Sequence, residues 1–146
     1  MPVDHRSASL NSPVFNYPYA RTREALHPLE HSGSPDPQLG HLMRYVNPLD
    51  GGWTMPTIAT MVRPLPQGFA TRPYRSTDSA VFIVVEGGGE LRVDGQALRL
   101  TPHDVVVVPG WMAYTLRATE NRVLFSYSDR VAQERLGLFR EQRLDA

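Results

Sequence analysis

The sequence contains neither cysteine nor lysine. Without cysteine, the chain can form no disulfide, no thiolate metal site and no cysteine nucleophile. All 15 basic residues are arginine, so a Schiff-base lysine and a phosphate-loop lysine are excluded as well. These absences remove several common classes of enzyme before any motif is considered.

Net charge and long apolar segments are also missing. The 15 basic residues are balanced by 15 acidic ones, whereas proteins that bind the phosphate backbone of nucleic acids usually carry a basic excess. No apolar run approaches the ~18–20 residues needed to cross a bilayer. Met1 to Ser12 is polar and has no apolar signal region. We therefore expect a cytoplasmic protein that binds neither nucleic acid nor membrane.

Turn residues are abundant, with 13 prolines and 11 glycines among 146 residues. Between them lie short runs rich in β-branched residues, spaced at roughly the 8–12 residues typical of an all-β sandwich or barrel. The predicted strands are Ile58 to Leu65, Ser79 to Val85, Glu90 to Val93, Ala97 to Leu100, a buried strand from Val105 to Val108, Met112 to Arg117 and Arg122 to Tyr127. Asp94-Gly95 is a strong hairpin signal. The pattern predicts one all-β domain.

Four segments are predicted along the chain. Residues 1–14 form a flexible arm, and residues 15–50 form an extension with a short helix that Thr22 caps and Pro28 ends after His27. Residues 51–128 form the barrel. Residues 129–146 form a helix and tail, with Ser128 or Asp129 as N-cap. We expect the arm and this helix to be interface elements.

The helical stripe in the last segment consists of Ala132, Leu136 and Phe139, which lie at helical spacing. A single helix cannot bury such a stripe alone. The stripe is therefore predicted to pack on the barrel or on a partner subunit.

A set of ordered motifs carries a family resemblance. The run VFIVVEGGGELRVDG from Val81 to Gly95, followed by His103 to Pro109, resembles the two-motif core of the cupin superfamily. Further motifs fall in order, among them FNYPY from Phe15, RYVNP from Arg44, VPGW from Val108 and LFSYSDR from Leu124. Together they resemble the C-terminal cupin half of the gentisate, salicylate and 1-hydroxy-2-naphthoate dioxygenase family. The resemblance implies a jelly-roll (double-stranded β-helix) barrel and a role in aromatic compound catabolism.

The resemblance also implies where a metal would be held. In that family, Fe(II) sits on three histidines of the other, N-terminal cupin. Placed on this sequence, the cupin ligand positions fall at Tyr74, Ser76, Ala80 and Tyr114, or at Pro73 and Arg75 for a histidine pair one residue earlier. None is a histidine or carboxylate, so no metal, cofactor or catalytic residue is expected in this chain.

The same positions outline a hypothetical pocket. Alternation along a strand puts Ala80 and Phe82 on one face, and Met112 and Tyr114 on another inward face. With Tyr74 and Ser76 these residues would line the barrel interior, and Arg63 or Arg75 could clamp the carboxylate of a small aromatic acid. The alternative is that the larger side chains simply fill the space a metal would occupy.

The leading functional prediction is a metal-free cupin module that acts in structure and assembly, as a homo-oligomer or beside a separate catalytic cupin, or that binds a small aromatic acid. The rival prediction is an active Fe(II) ring-cleaving dioxygenase of the gentisate type with an atypical metal site.

Overall fold

The computed structural model describes residues 16–48 and 50–145. The predicted arm of residues 1–14 and the phenylalanine that opens the FNYPY motif lie outside the described residues. The helices are α1 (Tyr19–Glu30) and α2 (Arg130–Arg135). The strands are β1 (Met43–Arg44), β2 (Ala59–Leu65), β3 (Tyr74–Ser76), β4 (Ala80–Glu86), β5 (Gly89–Val93), β6 (Gln96–Leu100), β7 (Val105–Val108), β8 (Tyr114–Ala118), β9 (Arg122–Ser128) and β10 (Glu141–Arg143).

Two five-stranded antiparallel sheets form the barrel. The first sheet has the order β1-β2-β9-β4-β7 and the second the order β10-β3-β8-β5-β6. The inward side chains of both sheets meet in one core, which includes Phe82, Leu91, Leu116 and Leu124. These residues alternate with outward ones along each strand, which is the period-2 pattern that the sequence shows. The predicted all-β barrel with a helix on either side of it in the sequence is confirmed.

A tight turn joins two neighbouring strands of the second sheet. Asp94 and Gly95 both have positive φ, 47° and 79°, and join β5 to β6 in a two-residue hairpin. The right-handed twist of the strands favours this mirror-image turn, because its own twist matches theirs. The hairpin predicted at these two residues is confirmed.

The first helix differs from its prediction at both ends. It begins at Tyr19 instead of after Thr22, and it continues through Pro28 to Glu30. Pro18 precedes it, and the Pro18 carbonyl accepts hydrogen bonds from the first turn. Pro28 falls in the last turn, where a proline costs one backbone hydrogen bond but need not end the helix at once. The hydroxyl of Thr22 lies 3.2 Å from that of Tyr45 and caps nothing.

The C-terminal helix is shorter than predicted. It ends at Arg135, because Gly137 follows with a φ of 70° and turns the chain away. The expected stripe does not form, and Leu136 remains 72% exposed. Beyond the turn the chain becomes β10, which pairs with β3 and had no counterpart in the predicted elements.

The valine strand β7 is also different from its prediction. It lies at the edge of the first sheet and alternates, with Val105 61% and Val107 56% exposed and Val108 buried. A run of four valines is consistent with burial on both faces. Here only the inward face is buried.

Candidate functional site

One small cavity in the barrel interior collects the predicted ligand positions. Tyr74 and Ser76 reach it from β3, Ala80 from β4 and Tyr114 from β8. Tyr74 pairs directly with Tyr114 across the second sheet. Because two sheets curl around one core, residues that are far apart in sequence meet at this point. The cavity therefore brings together all four residues at which the sequence comparison with the cupin pattern predicts the ligand positions.

The aromatic side chains of the cavity pack edge to face. The ring centroids of Tyr74 and Tyr114 are 5.9 Å apart, and those of Phe82 and Tyr114 are 5.5 Å apart. Such T-shaped contacts contribute roughly 0.5–1.5 kcal/mol each beyond the area they bury. The three rings form a rigid wall on one side of the cavity.

The phenol of Tyr74 is already engaged. Its hydroxyl donates a 2.7 Å hydrogen bond to Oε2 of Glu141 on β10. Burial of the ring and this carboxylate both raise the pKa of Tyr74 above its ordinary value. The hydroxyl is thus held neutral and occupied, which makes it a poor metal ligand.

A guanidinium lies against the same wall. Arg63 on β2 is 4% exposed, and its Cζ lies 5.7 Å from the centroid of the Phe82 ring. Its Nε and Nη1 have no hydrogen-bond partner among the described residues. An unsatisfied buried donor costs roughly 1–3 kcal/mol, and more when it belongs to a charged group. Burying Arg63 at the centre of the barrel therefore lowers the stability of the folded protein.

Charged side chains of both signs line the cavity. Arg63 and Arg130 contribute two guanidinium groups, whereas Asp78 is the carboxylate in the lining. Arg130 also makes a 2.7 Å ion pair with Glu134. Hydroxyls of serine and tyrosine complete the polar surface, so the cavity favours a negatively charged or neutral hydrogen-bonding group.

The cavity is small, with a volume of about 40 Å³. Leu39 and Leu42, from the segment between α1 and β1, cover it. An engineered cavity that admits benzene has about 150 Å³, whereas one water needs roughly 10–15 Å³. The interior thus has room for about three water molecules and not for an aromatic ring.

Comparison with known proteins matches this geometry to a family. The cupin domain family model matches residues 61–126, which run from β2 to β9 and include all four ligand positions. Residues 61–126 of the chain form a cupin domain.

Among relatives of this cupin, gentisate 1,2 dioxygenase 1 of Aquipseudomonas alcaligenes is 48% identical over 98% of the chain, and 5-aminosalicylate 1,2-dioxygenase of a Comamonas species is 37% identical over 89%. A crystal structure of salicylate 1,2-dioxygenase from Pseudoaminobacter salicylatoxidans, in an adduct with gentisate, superposes with a TM-score of 0.84 at 29% identity over 99% of the chain. The chain spans only 41%, 35% and 41% of those three proteins. This agrees with its being the C-terminal cupin of such a protein.

Not every predicted pocket residue lies in the cavity of this cupin. Met112 packs against the core cluster and is not among the residues that line the cavity. Arg75 lies on the barrel surface, where it donates to Oε1 of Gln142 and stacks 4.6 Å from the Trp111 ring centroid. Arg75 is next to an inward residue on β3, so alternation turns it outward. Of the two predicted clamps, only Arg63 reaches the interior.

Several lining residues had no place in the predicted pocket. Ser126 and Ser128 lie on β9 and Arg130 begins α2. A signal for the two serines exists, because they share the inward parity of the core residue Leu124 on the same strand. No sequence signal marks Leu39 and Leu42, since they come from an irregular segment that crosses the barrel only in the folded chain.

The donor set does not fit the iron of the family. A catalytic Fe(II) site needs imidazole or carboxylate ligands with open positions. The cavity offers hydroxyls, a methyl group, two guanidinium groups and the single carboxylate of Asp78. Among residues 16–48 and 50–145 no three His, Cys, Asp or Glu side chains come together as a metal site. The absence of a cofactor remains a prediction for this chain.

Proposed function

We propose that this cupin is a structural module of a ring-cleaving dioxygenase system, and that it associates with a second copy of itself instead of performing the oxygen chemistry. The relatives are named for gentisate, 5-aminosalicylate and salicylate dioxygenase activity. Hydroxyls and a methyl group where the pattern requires imidazole or carboxylate argue against that activity in this barrel. The observation that supports association is an apolar outer face on the first sheet.

Two cross-strand rows make up this outer face. Tyr127 lies beside Val81, and Val81 beside Val107; in the next row Phe125 lies beside Ile83, and Ile83 beside Val105. None of these six side chains is charged. Val105, Val107 and Tyr127 are 61%, 56% and 37% exposed. Contiguous exposed apolar surface of this kind marks interaction sites on soluble proteins.

Part of the same sheet is already covered by the chain itself. Leu26 of α1 packs on Val62 and Val123, and all three side chains are almost completely buried. Tyr45 continues this contact to Phe125, with ring centroids 6.0 Å apart. The extension thus shields the β2 side of the sheet, and among the described residues none is packed over the β4 and β7 side, where a partner can pack.

A second copy of the chain suits this face. An uncharged face meets itself without like-charge repulsion, and the net charge of the whole chain is zero. Within the described part of the chain, β7 also ends the sheet with an unpaired edge, which favours pairing with another strand. The sequence predicted the arm and the C-terminal helix as interface elements instead of this face. The arm lies outside the described residues, and α2 ends before its apolar stripe forms.

The experiment is a solution mass measurement by light scattering at micromolar concentrations. The wild-type chain is expected at twice the mass of one chain, and Val107→Glu at the mass of one chain with an unchanged circular dichroism spectrum. Leu98→Glu is the matched control, because Leu98 is 42% exposed on β6 of the other sheet. A monomeric wild type, or dissociation caused by Leu98→Glu alone, contradicts the proposal.

A further inference from the structure

We propose that the barrel interior is a binding site for a small planar oxyanion of three or four non-hydrogen atoms, such as formate, nitrate or bicarbonate, held by the guanidinium of Arg63. The site lies where the cupin pattern has its metal, but the sign of the bound charge is reversed. The proposal does not depend on the dimer, because the cavity is built from one chain.

The first observation is the state of Arg63. Arg63 is only 4% exposed, and it lines the cavity. Among the described residues, its Nε and Nη1 have no hydrogen-bond partner. Buried charged groups in proteins are normally paired or hydrogen-bonded. A guanidinium presents donors in a fixed planar fork that matches an oxyanion.

The second observation is the set of hydroxyls in the same cavity. Ser76, Ser126 and Tyr114 line it from three different strands. A hydroxyl can donate to an oxyanion that also accepts from a guanidinium. The aromatic wall behind Arg63 is apolar, which strengthens electrostatic interactions by keeping bulk water away. The cavity thus combines a fixed positive charge with convergent donors.

The third observation is the size of the cavity. About 40 Å³ holds about three water-sized atoms. This admits a one-carbon acid or nitrate and excludes benzoate and salicylate, whose rings need a much larger space. The aromatic-acid function predicted for this interior is therefore replaced by one for a smaller anion.

The main alternative to anion binding is that Asp78 balances the charge of Arg63. It is 8% exposed and lines the same cavity. If water molecules simply connect its carboxylate to Arg63, the charge of Arg63 is balanced within the protein and no anion enters. If an anion enters, Asp78 repels it. If an anion enters, removing the charge of Asp78 should therefore strengthen its binding. If water molecules connect Asp78 to Arg63, the same change only deprives Arg63 of its balancing charge.

The experiment measures the thermal midpoint of the full chain against sodium formate, with ionic strength held constant by sodium chloride. A saturable rise with formate, and none with benzoate, is expected. Asp78→Asn should lower the formate concentration at half-effect by roughly tenfold, the order expected when one nearby like charge is removed from a site of reduced dielectric. Arg75→Met, on the barrel surface, should leave the response unchanged.

Arg63→Met should abolish the formate response while retaining the near-ultraviolet circular dichroism of the packed aromatic wall. If this variant does not fold, the comparison of wild type with Asp78→Asn decides alone. The proposal is overturned if formate and chloride act equally, if benzoate binds as well as formate, or if Asp78→Asn leaves the formate response unchanged or weakens it.

Discussion

Arg122 offers a direct test of the energetics of the buried core. It begins β9, is 1% exposed, and its Nε and Nη2 have no hydrogen-bond partner among the described residues. Its Nη1 donates a long 3.5 Å bond to the carbonyl of Arg117. Burial lowers the pKa of Arg122 to about 10. The residue is thus a buried cation with little compensation.

Replacement by methionine should stabilise the protein. Each unsatisfied donor costs roughly 1–3 kcal/mol, and losing the long bond and some packing offsets part of the gain, so Arg122→Met should add about 1–3 kcal/mol to the free energy of unfolding. In a domain of this size each kcal/mol shifts Tm by roughly 2–4 °C, so Tm should rise by about 2–12 °C. The assay is thermal and urea unfolding followed by circular dichroism at neutral pH.

The pH dependence provides an internal check on Arg122→Met. The folded pKa of Arg122 lies below the ordinary value of an arginine in the unfolded chain. Between the two values the unfolded state binds more protons, so the wild type gains stability as pH rises. The difference in the free energy of unfolding between Arg122→Met and the wild type should therefore decrease above about pH 10. Arg99→Met, at an exposed position of β6, should change stability by less than about 0.5 kcal/mol. Destabilisation by Arg122→Met at neutral pH would refute the reasoning.

Three further outcomes follow from the same contacts. Gly87→Ala should destabilise the protein by roughly 2–4 kcal/mol in urea unfolding, because φ is 69° and a Cβ would collide with the backbone of Asn121. Gly95→Ala is the control: its φ is 79° but no atom lies within 4 Å of the added Cβ, so it should cost only about 1 kcal/mol. Equal costs for the two variants would refute the collision argument. The Asp36–Arg143 ion pair of 2.7 Å lowers the pKa of Asp36, although partial burial of this carboxyl acts in the opposite direction. The ion pair should contribute roughly 0.2–1 kcal/mol to the free energy of unfolding. This contribution should be lost as pH falls below the ordinary pKa of 3.8 and through the lower folded value. Arg143→Gln should remove that acid-range difference in thermal midpoints, and an unchanged difference would contradict the assignment. Tyr74→Phe should increase hydrogen exchange in β10 without unfolding the barrel, because the bond from Tyr74 to Glu141 on β10 is lost; exchange at the wild-type rate would contradict a holding role for this bond.

The longer strands and their turns were predictable because their signals are local. The strand predicted from Ser79 to Val85 differs from β4 (Ala80–Glu86) by one residue at each end, and the Asp94-Gly95 turn determines a two-residue hairpin by its own backbone preference. The three-residue strands β3 and β10 were not predictable in this way. They exist because Tyr74 to Ser76 pairs with Glu141 to Arg143 across a separation that no local pattern encodes.

The candidate site was partly predictable for the same reason. Placing the cupin pattern on the sequence brought Tyr74, Ser76, Ala80 and Tyr114 to one point, and the structure has all four in one cavity. The inward orientation of Arg63 depends on the register of β2 against β9, which places it opposite Leu124. Register between distant strands is set by tertiary packing, so the central charge of the site emerges only in the folded chain.

Metal analysis tests the central claim most directly. The claim is that hydroxyls and a methyl group occupy the ligand positions of the cupin pattern in this barrel, beside a buried guanidinium. After anaerobic incubation with Fe(II) and removal of unbound metal, the wild-type chain should retain far less than one iron per chain and should consume no oxygen with gentisate above the protein-free rate. One tightly held iron per chain, together with gentisate-dependent oxygen uptake, would contradict the account and establish the chain as an active dioxygenase.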